Sequence, residues 1–133
     1  MTFQIINPES LGAPRGWNNG MVAPAGGRLL FVAGQTARDA SGKITASGIV
    51  EQFARALENV TTVVREAGGE PENIGRLTLY VTDVSAYLAN PKPIGEAYRR
   101  LMGRHYPAMA LLEVKGLADE GAVIEIEATA VLP

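Results

Sequence analysis

Two glutamates near the end of the chain form the most suggestive pair of chemical groups in the sequence. Glu125 and Glu127 alternate with apolar residues, and residues two apart on a strand point to the same face of a sheet. Like charges held about 7 Å apart on a partly buried face raise the pKa of at least one carboxyl group, which suits proton transfer near neutral pH. The alternative is a solvated strand face neutralised by arginine or lysine, and the two residues alone favour that alternative.

The sequence contains one histidine, His105, and one tryptophan, Trp17, and both are further candidates for a functional role. His105 is either a general base or a ring at the end of a helix, where partial positive charge suits the helix dipole. Trp17 lies in a loop at 15–20 that is rich in Gly and Asn. It either covers the core or forms the wall of a small-molecule site or an interface.

Composition excludes several classes of site. The 133 residues contain no cysteine and one histidine, which excludes disulfides, thiol catalysis, cysteine-ligated metals and a multi-histidine metal site within one subunit. A net charge of −2 argues against a dedicated nucleic-acid binder. The chain shows neither a secretory signal nor a run of about 18 apolar residues. We therefore expect a cytoplasmic protein with no membrane partner.

The hydrophobic pattern predicts the order β-β-β-α-β-α-β-β. Apolar residues at 49–67 follow the 3.6-residue period of a helix, and those at 76–82 and 122–132 alternate as in half-buried strands. Gly26-Gly27 predicts a hairpin between strands at 21–24 and 28–33, and the continuous apolar run at 29–33 predicts a strand covered on both faces. The other predicted elements are strands at 3–6 and 109–114, a break at 91–93 and a helix at 94–104. This order favours an α+β fold with both helices on one face of a mixed sheet.

The second face of that sheet needs a cover of its own. Thr78 and Tyr80 share it with the two glutamates, which is too polar for a dry core and too orderly for a plain solvent face. Packing against another copy of the chain would cover this face.

Several motifs together resemble one family, although no single motif is specific. They are Gly34-Gln35 after an apolar strand, Ala56-Leu57-Glu58-Asn59-Val60 in the first helix, Tyr80-Val81-Thr82-Asp83 at a strand end, Tyr106-Pro107-Ala108, and Ile124-Glu125-Ile126-Glu127-Ala128. The combination resembles the Rid (YjgF-type) family of reactive-intermediate imine/enamine deaminases, from about residue 16 to residue 132. It implies that residues 1–133 form a single domain with a chorismate-mutase-like fold.

The resemblance also implies a homotrimer whose sheets line a central barrel, with three clefts between neighbouring subunits. Active members of the family hydrolyse imines or enamines to a keto acid and ammonia, and no metal or organic cofactor takes part. An arginine after the Phe/Tyr-Pro-Ala motif binds the substrate carboxylate, and a glutamate of the last motif positions or activates water. An aromatic residue and a strand serine border the cleft. Ribonuclease activity, also linked to the family, is not expected at a net charge of −2.

Carried over by position, the glutamate is Glu125, while Trp17 takes the place of the usual tyrosine and Ala33 that of the serine. Met109 occupies the arginine position. Methionine cannot make the two charge-assisted hydrogen bonds of a guanidinium, each worth about 1.5–3 kcal/mol. The chain therefore resembles the branches of the family that lack this arginine, which leaves the standard imino-acid deaminase activity open.

Two functions follow from these residues. The first is hydrolysis of a small, less charged imine or enamine by Glu125 in a cleft between subunits. The predicted pocket residues are Trp17, Tyr106, Met109 and Leu111, with the Leu111 N–H as a donor to a carbonyl oxygen. If an acid is bound, Arg15, Arg28 or His105 replaces the missing arginine. The second function is a non-catalytic trimer that binds a metabolite or a partner protein, which fits the loss of the tyrosine, serine and arginine.

Overall fold

The computed structural model describes residues 2–133, which contain a small two-stranded ribbon and a four-stranded mixed sheet. The ribbon pairs β1 (Gln4–Ile6) with β2 (Gly20–Val22). The sheet contains β3 (Arg28–Gln35), β4 (Ile74–Val81), β5 (Ala108–Glu113) and β6 (Ile124–Leu132), and its helices are α1 (Gly48–Glu66), α2 (Val84–Leu88) and α3 (Pro91–Met102). Short 3-10 turns occupy Glu9–Leu11 and Pro71–Asn73. The strand order is β3-β6-β4-β5, with β4 and β5 parallel and the other pairs antiparallel.

Helix α1 supplies most of the helical side of the core. Its apolar stripe, which includes Phe53, Leu57 and Val60, is fully buried against β3, β6 and α3. Each such side chain contributes about 1.5–3 kcal/mol through removal of apolar surface from water. The helix ends where Gly68 takes a φ of 91°, a left-handed conformation that glycine adopts without strain. The predicted helix at 49–67 and the placement of the helices on one face of a mixed sheet are confirmed.

The two faces of the sheet differ as the alternation predicts. On β6, Ile124 and Ile126 are fully buried beneath the helices, whereas Glu125 and Glu127 are half-buried on the opposite face. The register pairs Glu127 with Thr78 and Glu125 with Tyr80. The polar second face is therefore present as predicted.

Three local predictions are wrong. The strands at 21–24 and 28–33 do not form a hairpin, because β2 pairs with β1 and β3 pairs with β6. Turn residues such as Gly26 show that the chain reverses, but they do not show which strand each edge then meets. Strand β3 is covered on one face within one chain, where Val32 is 4% exposed and Phe31 is 75% exposed.

The third wrong prediction concerns residues 83–93. They contain the short helix α2, which the sequence pattern did not indicate, and Asp83 begins this helix by accepting a hydrogen bond from the Ala86 N–H at 3.2 Å. Pro91 does not break the chain but occupies the first turn of α3, where its missing N–H costs no hydrogen bond. None of the helices within residues 2–133 is long and apolar enough to cross a bilayer.

Candidate functional site

Glu125 lies over a glycine on the neighbouring strand. A Cβ atom at Gly34 would come within 2.8 Å of the Glu125 carboxyl carbon, so the absence of a side chain there creates the space for the carboxylate. The β3–β6 register is irregular between Val32 and Gln35, and a local bulge of this kind re-aims side chains at a sheet edge. Ala33, beside Gly34, is exposed. Glu125, Gly34 and Ala33 thus form one half of the candidate site, on the sheet face away from the helices.

The two glutamates of this face have different surroundings. The Tyr80 hydroxyl donates a hydrogen bond to Oε1 of Glu127 at 2.6 Å, and this bond is the main reason why the pKa of Tyr80 lies above that of a free phenol. Within residues 2–133, no side-chain hydrogen bond or ion pair ties down the Glu125 carboxylate, and the Arg65–Glu70 pair is the only ion pair found. Glu127 is therefore engaged by a neighbour, whereas Glu125 is available to a ligand or a water molecule.

A cavity of about 380 Å³ opens on the helical side of β5. Met109 lines it from β5 and Tyr106 from the segment just before that strand, and Tyr98 and Arg99 line it from α3. The Tyr98 and Tyr106 rings stack with centroids 5.2 Å apart and an interplanar angle of 7°, and the Tyr98 hydroxyl donates to the His105 carbonyl at 2.6 Å. These contacts give the cavity a fixed aromatic wall.

The loop that carries Trp17 is tied to the mouth of the cavity by its neighbour Asn18. The Asn18 backbone N–H donates to the Pro107 carbonyl at 3.2 Å, and its side-chain amide donates to the Tyr106 carbonyl at 2.6 Å. Gly16 lines the cavity. Trp17 itself is 42% exposed, and its indole N–H donates to the Asn19 side chain at 3.1 Å. An indole this exposed fits the wall of a site or an interface better than a cover over the core.

Within one chain, Glu125 and Met109 project from opposite faces of the sheet. Met109 is in register with Leu77, which is buried beneath the helices, and Glu125 is in register with Tyr80 on the other face. Leu111 shares the helical face with Met109. The structure therefore brings Tyr106 and Met109 together near Trp17, and Ala33 together with Glu125, but it does not bring the two groups together in one chain.

The free edge of β5 presents the backbone donor that the sequence singled out. The Pro107 carbonyl points away from β4 and accepts from Asn18, whereas the Val114 N–H donates to Val81 on β4 at 2.8 Å. Because backbone groups alternate in direction along a strand, the Leu111 N–H points to the same free edge as the Pro107 carbonyl. It is available to a ligand or to another chain.

The cations considered from the sequence lie outside the cavity. Nε2 of His105 lies 2.6 Å from the Ile74 carbonyl, and its ring stacks on Phe3 with centroids 6.3 Å apart. The Arg28 guanidinium donates to the Pro133 carbonyl at 3.3 and 3.4 Å. Arg15 is exposed next to Gly16. Among the described residues, no group of three or more His, Asp or Glu side chains is arranged to hold a metal ion.

Sequence reasoning missed Arg99, the one charged side chain among the cavity's lining residues. The available signal was its spacing from Gly95, because residues four apart lie on one face of a helix and glycine leaves room above itself. Arg100 masked this signal, because two adjacent arginines on a surface helix are expected to be solvated.

Comparisons with known proteins match nearly the whole chain. A family model described as endoribonuclease L-PSP matches residues 9–132. The 2-iminobutanoate/2-iminopropanoate deaminase of Capra hircus is 30% identical over 105 residues, which cover 78% of this chain and 73% of that protein. The RutC family protein slr0709 of Synechocystis is 33% identical over 135 residues, which cover 100% of this chain and 99% of that protein.

Solved structures agree with these sequence matches. YyfB from Yersinia pestis, described as a protein of unknown function of the conserved Rid family, superposes with a TM-score of 0.86 at 33% identity, covering 99% of this chain and 100% of that chain. TdcF from E. coli, solved with bound serine, superposes with a TM-score of 0.68 at 28% identity, covering 92% of each chain.

Proposed function

The chain belongs to the Rid (YjgF) family, and we propose that it hydrolyses a small imine or enamine in a cleft between two copies of the chain. The observation that carries the proposal is the Glu125 carboxylate, which is half-buried over Gly34 and engaged by no neighbouring side chain in residues 2–133. Relatives that are about 30% identical carry the name 2-iminobutanoate/2-iminopropanoate deaminase, which supports the reaction class.

The cleft must form between copies because its two halves lie on opposite faces of the sheet. The Glu125 half belongs to one copy, and the cavity beside Met109, with the free edge of β5, belongs to a neighbour. Strands β3 and β5 are the two edges of the sheet, and Leu29 and Phe31 on β3 are 62% and 75% exposed. Apolar residues on an open strand edge favour burial against another chain. A homotrimer, which the family resemblance implies, closes three such clefts.

Hydrolysis then needs one carboxylate and no external redox partner. Glu125 accepts a proton from water as the water oxygen bonds to the carbon of the protonated C=N group, giving a carbinolamine. The same proton passes to the amine nitrogen, and as the C–N bond breaks the Glu125 carboxylate takes up the proton of the carbinolamine hydroxyl. Ammonia and a carbonyl compound leave, and Glu125 returns this proton to solvent. The Leu111 N–H of the neighbouring copy stabilises oxygen at the reacting end of the substrate.

A Glu125→Gln variant tests this role. We expect ammonia release from freshly generated 2-iminobutanoate or from an aromatic imine to fall to the background rate, because the amide cannot accept the proton. The molecular mass in solution should equal that of the wild type, three subunits for both. Glu127→Gln is the matched control, and it should retain turnover. Turnover that survives Glu125→Gln would refute the assignment.

The second function is a non-catalytic trimer that binds a metabolite or a partner protein. Trp17, Ala33 and Met109 favour it, because each takes the place of a polar residue at its position in the family pattern. An assay of ammonia release distinguishes the two functions. A non-catalytic trimer releases no ammonia from any imine, although it still binds its ligand saturably in the cleft.

A further inference from the structure

The cavity beside β5 contains one charged group and several aromatic rings. Arg99 is its only charged lining residue within residues 2–133, and the three tyrosines are Tyr87, Tyr98 and Tyr106. Burial raises the pKa of Tyr87 and of Tyr98 above that of an exposed phenol, so both stay neutral at physiological pH. No ion pair in the described chain involves Arg99. A guanidinium without a carboxylate partner beside aromatic walls attracts an anion.

Gly95 leaves room for this guanidinium at the cavity. A Cβ atom at Gly95 would lie 3.1 Å from Nη1 of Arg99 and 3.8 Å from its Cζ, so the arginine lies back along α3 over the glycine one turn earlier. Gly95 lines the same cavity. The missing side chain therefore leaves room for the guanidinium at the cavity wall, where Arg99 lies exposed.

We infer that Arg99 binds the carboxylate of the substrate, and that the tyrosine walls select 2-imino acids with an aromatic or similarly bulky apolar side chain. This inference rests on the proposed function, because it gives that site its substrate class. Arg99 performs from α3 the task that Met109 cannot perform from β5, and both residues line one cavity. The volume of about 380 Å³ lies within the roughly 300–1,000 Å³ range of small-molecule pockets.

The test measures binding of a stable product analogue to the full chain. Phenylpyruvate carries a carboxylate and an aromatic ring, and phenylacetone has the same ring and ketone with a methyl group in place of the carboxylate. Isothermal titration should show that Arg99→Met weakens phenylpyruvate binding about tenfold to a hundredfold, the loss of charge-assisted hydrogen bonds, and leaves phenylacetone binding unchanged. Arg100→Met is the matched control, because Arg100 is exposed on the same helix as Arg99 is but does not line the cavity, and it should change neither affinity by more than about twofold.

Three binding results overturn the inference. They are a wild type that binds phenylacetone as tightly as phenylpyruvate, unchanged phenylpyruvate binding in Arg99→Met, and a loss seen in Arg76→Met instead, since Arg76 lines a smaller hollow on the other side of Met109. Restored phenylpyruvate binding in the double variant Arg99→Met/Met109→Arg supports the shared cavity. Binding that depends on Arg99 without any ammonia release supports this inference and refutes the hydrolase. Ammonia release that is insensitive to Arg99→Met supports the hydrolase and refutes this inference.

Discussion

Gly34 gives the sharpest test of how Glu125 is positioned. In Gly34→Ala, the new Cβ atom would lie 2.8 Å from the Glu125 carboxyl carbon and 3.0 Å from its Cγ, whereas ordinary contacts begin at 3.4 Å. The carboxylate must therefore swing away, and its nearer oxygen moves furthest. A misplacement of about 1 Å can cost about a hundredfold in rate, so we expect kcat for imine hydrolysis to fall by about two orders of magnitude.

The fold should tolerate this change, because Gly34 has no left-handed φ and alanine in a strand costs less conformational entropy than glycine. The assay combines ammonia release with urea unfolding, so that a loss of rate is separated from a loss of stability. Gly116→Ala is the control, since a Cβ there meets nothing within 4 Å. A Gly34→Ala enzyme with wild-type kcat would refute both the position of Glu125 and its role.

Two further predictions concern stability. Gln52 is 3% exposed, and its side chain makes hydrogen bonds of 2.9, 2.9 and 3.2 Å to three backbone groups in the loops before α1 and β6. At about 1 kcal/mol per bond, Gln52→Leu should lower the free energy of unfolding in urea titrations by about 3 kcal/mol. The control Glu58→Leu, at an exposed position of the same helix, should lower it by less than about 0.5 kcal/mol. The hydrogen bond from the Ser41 hydroxyl, and next the one from the Lys43 N–H, hold the pKa of Asp39 below its usual range. The ionised Asp39 therefore stabilises the folded loop at pH values above the ordinary carboxyl pKa, and this contribution is lost as the pH falls through the lowered pKa of the folded state. Ser41→Ala should raise the Asp39 pKa in an NMR titration, and an unchanged pKa would contradict this cause.

The elements that the sequence predicts well are those whose burial pattern is local. Helix α1 and strand β6 each bury one regular set of side chains against the core, so the period of their apolar residues reports their type directly. Strand β4 was predicted at 76–82 and lies at Ile74–Val81, because its alternation fixes the face of each residue and leaves the ends open. The placement of Glu125 and Tyr80 on one face follows from the same alternation.

The errors occur where distant parts of the chain decide the outcome. The pairing of β3 with β6 joins residues about a hundred positions apart, whereas the turn signal at Gly26 reports only on its neighbours. Helix α2 has five residues, too few to show a helical period. The cavity forms where the 16–18 loop, α3 and the start of β5 come together in the fold. This tertiary contact cannot be read from any local sequence pattern.

The role inferred for Arg99 illustrates how a ligand contact can move between sequence positions while staying in one place in space. A comparison position by position finds methionine where the family pattern has an arginine and counts the carboxylate contact as lost. Hydrogen bonds and charge attraction depend on where the guanidinium lies and not on the strand or helix that carries it. Arg99 reaches the cavity of Met109 from α3 because Gly95 leaves a path along the helix surface. The three tyrosines of the cavity wall favour bulky substrates over small imino acids, while the proposed base remains Glu125.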